Sequence, residues 1–120
     1  MREKLTLAVV VLFLLPCAAN ADFSLEQYRT LSQSSEIKEK FRDYVTGVGR
    51  GIFWANVMLG VQKKERLFCM PTKLSLDEGI IQSLLDQEIR APSKGTAYKN
   101  DTPIELIMTS AFIRRFPCDK

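Results

Sequence analysis

The strongest constraint on the fold is a long run of apolar residues at helical spacing in the first half of the chain. Between positions 37 and 59 these residues recur at steps of one, three or four. Such steps place them on one face of an α-helix. More apolar residues widen the face in its second half, which predicts the central helix of the domain. Gly47, Gly49 and Gly51 each cost about 1 kcal/mol of helix propensity, which predicts close approach of another backbone.

Three shorter segments carry the polar start signals of helices. They begin at Ser24, Ser75 and Thr102, and they end near Leu31, Pro92 and Pro117. Each start has the spacing of a capping box, in which a side chain three residues later reaches back to the first residue. No segment has a convincing strand pattern. The sequence therefore predicts an all-α fold, a small four-helix array closed by one disulfide.

Residues 1–21 have the organisation of a cleaved secretion signal. Two basic residues within the first four positions precede an apolar run at 5–15, and small residues follow at 19–21. The run is shorter than the roughly 20 residues that a transmembrane helix requires. A lipid anchor at Cys17 is disfavoured by the proline before it. We therefore expect an exported protein with no stable membrane anchor, whose mature domain comprises residues 22–120.

The cysteine and histidine counts limit the chemistry. The chain has three cysteines and no histidine, which excludes Ser-His-Asp and Cys-His nucleophile pairs, histidine-ligated zinc and histidine general bases. Removal of the signal would leave Cys69 and Cys118, and an even pair in an oxidising compartment is most simply a disulfide. A bridge across this span contributes about 4 kcal/mol in the chain-entropy model.

The other patterns do not amount to an active site. The Gly47–Gly51 run lacks the spacing of a phosphate-binding loop, and Ser35–Lys38 matches S-x-x-K without the companion motifs of penicillin-recognising enzymes. Asp77 and Glu78 stand at a predicted helix start, where the dipole favours acids. A net charge of +3 with mixed signs does not favour nucleic-acid binding. We expect no enzymatic activity, no cofactor and no metal site.

Four short motifs follow one another in a specific order. They are Tyr44-Val45-Thr46-Gly47-Val48, Trp54-Ala55-Asn56, Phe68-Cys69-Met70-Pro71 and Phe116-Pro117-Cys118. Together they resemble the Rap/Tai family of periplasmic immunity proteins linked to type VI secretion. The resemblance implies a helical fold, a Cys69–Cys118 bridge and a role in neutralising a toxic effector, often a peptidoglycan amidase. Many relatives carry a second cysteine pair that this chain lacks, so the resemblance does not specify the effector.

An immunity protein that works by occlusion needs a loop that enters the effector. The polar stretch between the third and fourth helices contains Lys94, Tyr98, Lys99 and Asn100, and we predict that these residues bind the partner. Tyrosine offers contact area with few rotatable bonds, and lysine can meet an acidic rim. An ordinary solvated connection is the alternative for this stretch.

Two further possibilities concern the partner and the class of protein. A homodimer is compatible with the sequence. A small periplasmic helical chaperone of the acid-stress type is the alternative function, because such proteins are also short, exported and joined by one disulfide. A chaperone binds many clients and exposes apolar surface under stress, whereas an immunity protein binds one partner tightly.

Overall fold

A computed structural model describes residues 23–119 and contains four α-helices within them. These are α1 (Leu25–Leu31), α2 (Ser35–Val61), α3 (Glu78–Arg90) and α4 (Ile104–Arg115). Among the described residues there is no strand, only one isolated antiparallel bridge between Ser24 and Pro103. The predicted all-α, four-helix fold is confirmed. The predicted signal, residues 1–21, lies outside the described residues. No helix within 23–119 combines the length and the apolarity needed to cross a membrane.

The helix starts are set by local hydrogen bonds. The capping box before α1 is present as predicted: the Gln27 N–H donates to Ser24 Oγ at 3.2 Å, and the Ser24 N–H donates to Gln27 Oε1 at 2.9 Å. The sequence predicts the start of α3 at Ser75, but Asp77 caps the helix by accepting from the Ile80 N–H at 2.9 Å. A carboxylate at this position also interacts favourably with the helix dipole.

The start of α4 is determined by a tertiary contact. The helix begins one residue later than predicted, with Pro103 rather than Thr102 as its N-cap residue and no side-chain cap. Instead, the Ile104 N–H donates to the Phe23 carbonyl and the Leu25 N–H donates to the Thr102 carbonyl, both at 2.8 Å. The segment before α1 therefore ties the start of α4 to the N-terminal end of the domain.

The core lies between α3, α4 and the first half of α2. Its buried apolar side chains are Leu25, Phe41, Val45, Phe68, Ile81, Leu84, Leu85, Ile104, Ile107, Met108, Ala111, Phe112 and Phe116. The helical spacing of Ile104, Ile107, Met108 and Ala111 predicts an inward stripe on α4, and all four side chains are buried. The second half of α2 is different, because after Gly49 only Asn56 is buried. The prediction that α2 is central is therefore wrong for its second half.

The side chain of Asn56 holds the chain segment that returns from α2 to the core. Its Oδ1 accepts hydrogen bonds from the Leu67 N–H at 2.8 Å and the Phe68 N–H at 3.3 Å, and its Nδ2 donates to the Phe68 carbonyl at 2.8 Å. Phe68 is fully buried and stacks on Phe112, with ring centroids 4.8 Å apart. The amide of Asn56 thus makes the hydrogen bonds that three backbone groups would otherwise make with water.

The predicted disulfide closes the same region. Cys69 and Cys118 are bonded, with their Cα atoms 4.8 Å apart. The Cys69 N–H also donates to the Phe116 carbonyl at 2.8 Å. The bridge therefore joins the loop after α2 to the end of α4, as the order of the elements predicts, and three of the four sequence motifs meet at this junction.

The three glycines in the 47–51 run of α2 have different surroundings. A Cβ atom built on Gly49 would lie 2.6 Å from Cγ2 of the fully buried Ile81, whereas nothing lies within 4 Å of a Cβ on Gly47 or Gly51. The predicted close approach is thus confirmed only at Gly49, and the contact is with a side chain rather than a backbone. The helix is continuous through all three residues.

These surroundings predict opposite effects for one substitution at neighbouring positions. Gly47→Ala and Gly51→Ala are expected to raise the free energy of unfolding by about 0.5–1 kcal/mol each, because alanine restricts the unfolded chain without a clash. Gly49→Ala is expected to lower it by about 2 kcal/mol, because the branched side chain of Ile81 must move in a packed core. Urea unfolding measures all three, and changes of the same sign would contradict this account.

Removal of the Asn56 amide is expected to be more damaging. Asn56→Ala leaves the N–H and carbonyl of the buried Phe68 and the N–H of Leu67 without these partners, at a cost of about 3 kcal/mol. Urea unfolding with the disulfide intact measures this loss. Gln62→Ala, at the exposed end of the same helix, is the matched control and is expected to change stability by less than about 0.5 kcal/mol. Equal effects of the two substitutions would show that the Asn56 hydrogen bonds contribute little.

Candidate functional site

The predicted partner-binding residues lie in the connection between α3 and α4. Lys94, Lys99 and Asn100 are exposed, whereas Tyr98 is half-buried and packs against the core. The chain turns at Gly95, whose φ of +74° is in the left-handed region that favours glycine. The Gly95 N–H closes this turn by donating to the Pro92 carbonyl at 3.0 Å. The four predicted residues therefore lie in one loop, but Tyr98 is less exposed than the other three.

A buried carboxylate holds the first part of this loop. Glu88, in the last turns of α3, is only 2% exposed. Its Oε1 accepts three hydrogen bonds: from the Ser93 N–H at 2.7 Å, the Ser93 hydroxyl at 2.6 Å and the Tyr98 hydroxyl at 2.7 Å. Because hydrogen bonds to an ionised group are stronger than neutral ones, this one side chain fixes the loop at two points.

The second oxygen of Glu88 faces a cation from α4. Arg114 Nη1 lies 3.5 Å from Glu88 Oε2, and Arg114 also donates to the Ala91 carbonyl at the end of α3. Burial by itself raises the pKa of Glu88, but the hydrogen bonds from Ser93, Tyr98 and Arg114 outweigh it and hold the pKa below its ordinary value. The carboxylate is thus ionised and fully used in holding the loop.

The far end of the loop is held by α1. The Asn100 carbonyl accepts from the Glu26 N–H at 3.0 Å, and Asn100 Oδ1 accepts from Arg29 Nη1 at 2.9 Å. The Lys99 carbonyl accepts from the Thr102 N–H at 3.0 Å. Between these attachments, residues 94–97 are exposed. The loop is therefore a short projection held at both ends, which presents Lys94 and Lys99 to solvent.

Glu88 is the main residue of this site that the sequence prediction lacks. Its position contains a usable signal, because it follows Leu84 by four residues and Leu85 by three, on the inward face of α3. A carboxylate on an inward face must be paired or hydrogen-bonded, so its presence there indicates a polar anchor. The partners, however, come from a loop and from another helix, and no spacing within α3 specifies them.

Neutralising Glu88 is expected to loosen the loop and to change the response to pH. Because the pKa is lower in the folded state, the stabilisation is complete above the ordinary value of 4.5 and is lost as the pH falls through the folded value. Glu88→Gln should therefore lower the free energy of unfolding by about 2–3 kcal/mol at neutral pH. The difference from the unsubstituted protein should shrink in acid.

Urea unfolding at a series of pH values measures this difference. Glu78→Gln is the matched control on the same helix, because its ion pair with Arg42, although 2.7 Å long, is about half exposed on both sides. We expect it to change stability by less than about 0.5 kcal/mol. A loss for Glu88→Gln that does not vary between neutral and acidic pH would contradict the role of the ionised carboxylate.

Comparison with known proteins finds no relative of this chain. No protein-family model, curated protein or solved structure matches the chain. The resemblance to periplasmic immunity proteins therefore rests on the four motifs themselves. Three of them, those containing Asn56, Cys69 and Cys118, lie together at the junction that closes the fold.

Proposed function

We propose that this protein is a periplasmic immunity protein that binds a secreted type VI effector, such as a peptidoglycan amidase, and occludes its cleft. The observation that carries the proposal is the loop between α3 and α4, which projects Lys94 and Lys99 and is held from below by Glu88. A loop that is already ordered loses little conformational entropy on binding. The class of partner is inferred from the resemblance of the four motifs to those of periplasmic immunity proteins.

The two lysines give the loop its recognition chemistry. Both lysines are exposed. The backbone of their segment is hydrogen-bonded to α1 and to Glu88 of α3, so the loop holds the two charges in solvent while it stays ordered. Cations at this place fit an acidic rim around the cleft of an effector. The partner contact of Tyr98 stays a prediction, and its hydroxyl donates to Glu88, which stabilises the loop internally.

Reversing the loop charges is expected to weaken binding to the effector. The probe is the product of the adjacent gene, which the proposal expects to be a secreted toxin, and calorimetry measures its affinity for Lys94→Glu/Lys99→Glu. We expect a loss of about 100-fold. Lys38→Glu/Lys40→Glu, which changes two exposed lysines of α2, is the matched control and should bind within about threefold of the unsubstituted protein.

Two results would contradict the proposal at different points. If the unsubstituted protein does not bind the neighbouring toxin, or binds it without inhibiting it, the immunity function is wrong. If binding and inhibition are normal but both double variants behave alike, the immunity function stands and this loop is not the contact surface.

A periplasmic chaperone is the second candidate function, because the end of α2 exposes apolar side chains. Trp54, Met58 and Val61 are 62%, 51% and 68% exposed. Suppression of the aggregation of acid-denatured client proteins distinguishes the two functions. A chaperone protects several unrelated clients and loses this activity when Trp54 is replaced, whereas an immunity protein protects none of them.

A further inference from the structure

The second half of α2 carries an exposed apolar strip that the fold does not use. Trp54, Met58 and Val61 follow one another at steps of four and three, which places them on one face of the helix. This strip faces away from Asn56, whose side chain is buried against the returning segment. Arg50 lies one turn before Trp54 on the same face, so a cation begins the strip.

Cations also surround the other end of the strip. Lys63 and Lys64 follow α2 directly, with the chain turning at Lys63, whose φ is +57°. The Arg66 guanidinium packs over Gly60, one residue before the strip ends. Glu65 is the only acid between Asp43 and Asp77, against five basic residues, so this part of the chain has a net charge of +4.

The remainder of residues 23–119 has the opposite charge. It contains nine basic and eleven acidic residues, a net charge of −2. The positive charge of the domain is therefore concentrated where the apolar side chains are exposed. An apolar strip that contains tryptophan and is bordered by lysine and arginine is the pattern by which a helix lies in the interface of an anionic membrane.

We propose that the apolar strip formed by Trp54, Met58 and Val61 rests on an anionic phospholipid surface, with Lys63, Lys64 and Arg50 on the headgroup phosphates. The indole of Trp54 suits this layer, because its ring is apolar and its N–H donates to headgroup oxygens. Lysine side chains extend along an apolar surface and keep the ammonium group among the phosphates. The contact is reversible, because three apolar side chains bury little area in the membrane.

Charge favours a lipid surface over a second copy of the chain. Two copies packed through this strip would bring Arg50, Lys63 and Lys64 of one molecule near the same cations of the other, with only Glu65 to offset them. A lipid headgroup layer provides the opposite charge and requires no complementary pocket. Each lysine near an anionic surface strengthens binding by about fivefold.

Trp54 is the only tryptophan of the chain, so its fluorescence reports on this strip alone. Vesicles of phosphatidylglycerol mixed with phosphatidylcholine should shift its emission to shorter wavelength, and brominated acyl chains should quench it. Pure phosphatidylcholine should have little effect. Lys63→Gln/Lys64→Gln should bind the mixed vesicles about 30-fold more weakly. Lys38→Gln/Lys40→Gln removes the same charge from the first half of α2 and should bind within about threefold.

Sedimentation with the same vesicles tests the apolar contribution. Trp54→Ala should bind about tenfold more weakly, whereas Leu106→Ala, which removes an apolar side chain of similar exposure from α4, should bind normally. All variants share the same N-terminal residues, so their differences report on this surface.

Three results would overturn the proposal. One is no spectral shift with the anionic vesicles. Another is equal weakening by the two lysine pairs. The third is an emission that is already at short wavelength without lipid and depends on protein concentration, which would mean that a second copy covers the strip.

Discussion

The hydrogen bonds of Asn56 determine how the second half of the chain returns to the first. α2 runs past the core, and the chain after it must come back to place Phe68 against Phe112. Phe68 of that returning segment is fully buried, and the single amide of Asn56 satisfies its N–H and carbonyl together with the N–H of Leu67. The disulfide between Cys69 and Cys118 then fixes the segment to the end of α4. Together the Asn56 hydrogen bonds and the disulfide fix the position of the end of α4 relative to α2.

A second buried polar group organises the opposite side of α4. Glu88 of α3 accepts hydrogen bonds from Ser93 and Tyr98 of the following loop and pairs with Arg114 of α4. One carboxylate thus connects α3, this loop and α4. Both Asn56 and Glu88 are polar residues on otherwise apolar helix faces. A polar group in such a place is stable only when its partners are arranged around it, and this requirement selects one arrangement of the loops from the many that would bury the same apolar area.

The two surfaces left by these constraints differ in character. The loop between α3 and α4 is polar, tied down at both ends and suited to a protein cleft. The end of α2 is apolar and positively charged, which suits the proposed layer of anionic headgroups. Since α2 continues for about three turns after Gly49, where it contacts Ile81 of α3, the side chains of Trp54, Met58 and Val61 remain exposed. The proposed partner and the proposed membrane surface thus use separate parts of the domain.

Periodicity and capping are local properties, so they predict the number of helices, their approximate bounds and the inward stripe of α4. The cysteine pairing follows because only Cys69 and Cys118 remain after residue 21. Long-range packing sets which half of α2 is buried, that Gly49 is crowded while Gly47 and Gly51 are not, and that Pro103 rather than Thr102 precedes α4. It also sets that Tyr98 points to Glu88 instead of into solvent. Each of these depends on a side chain or backbone group distant in sequence, such as Ile81 against Gly49 or Phe23 against Ile104, and spacing along one helix carries no information about it.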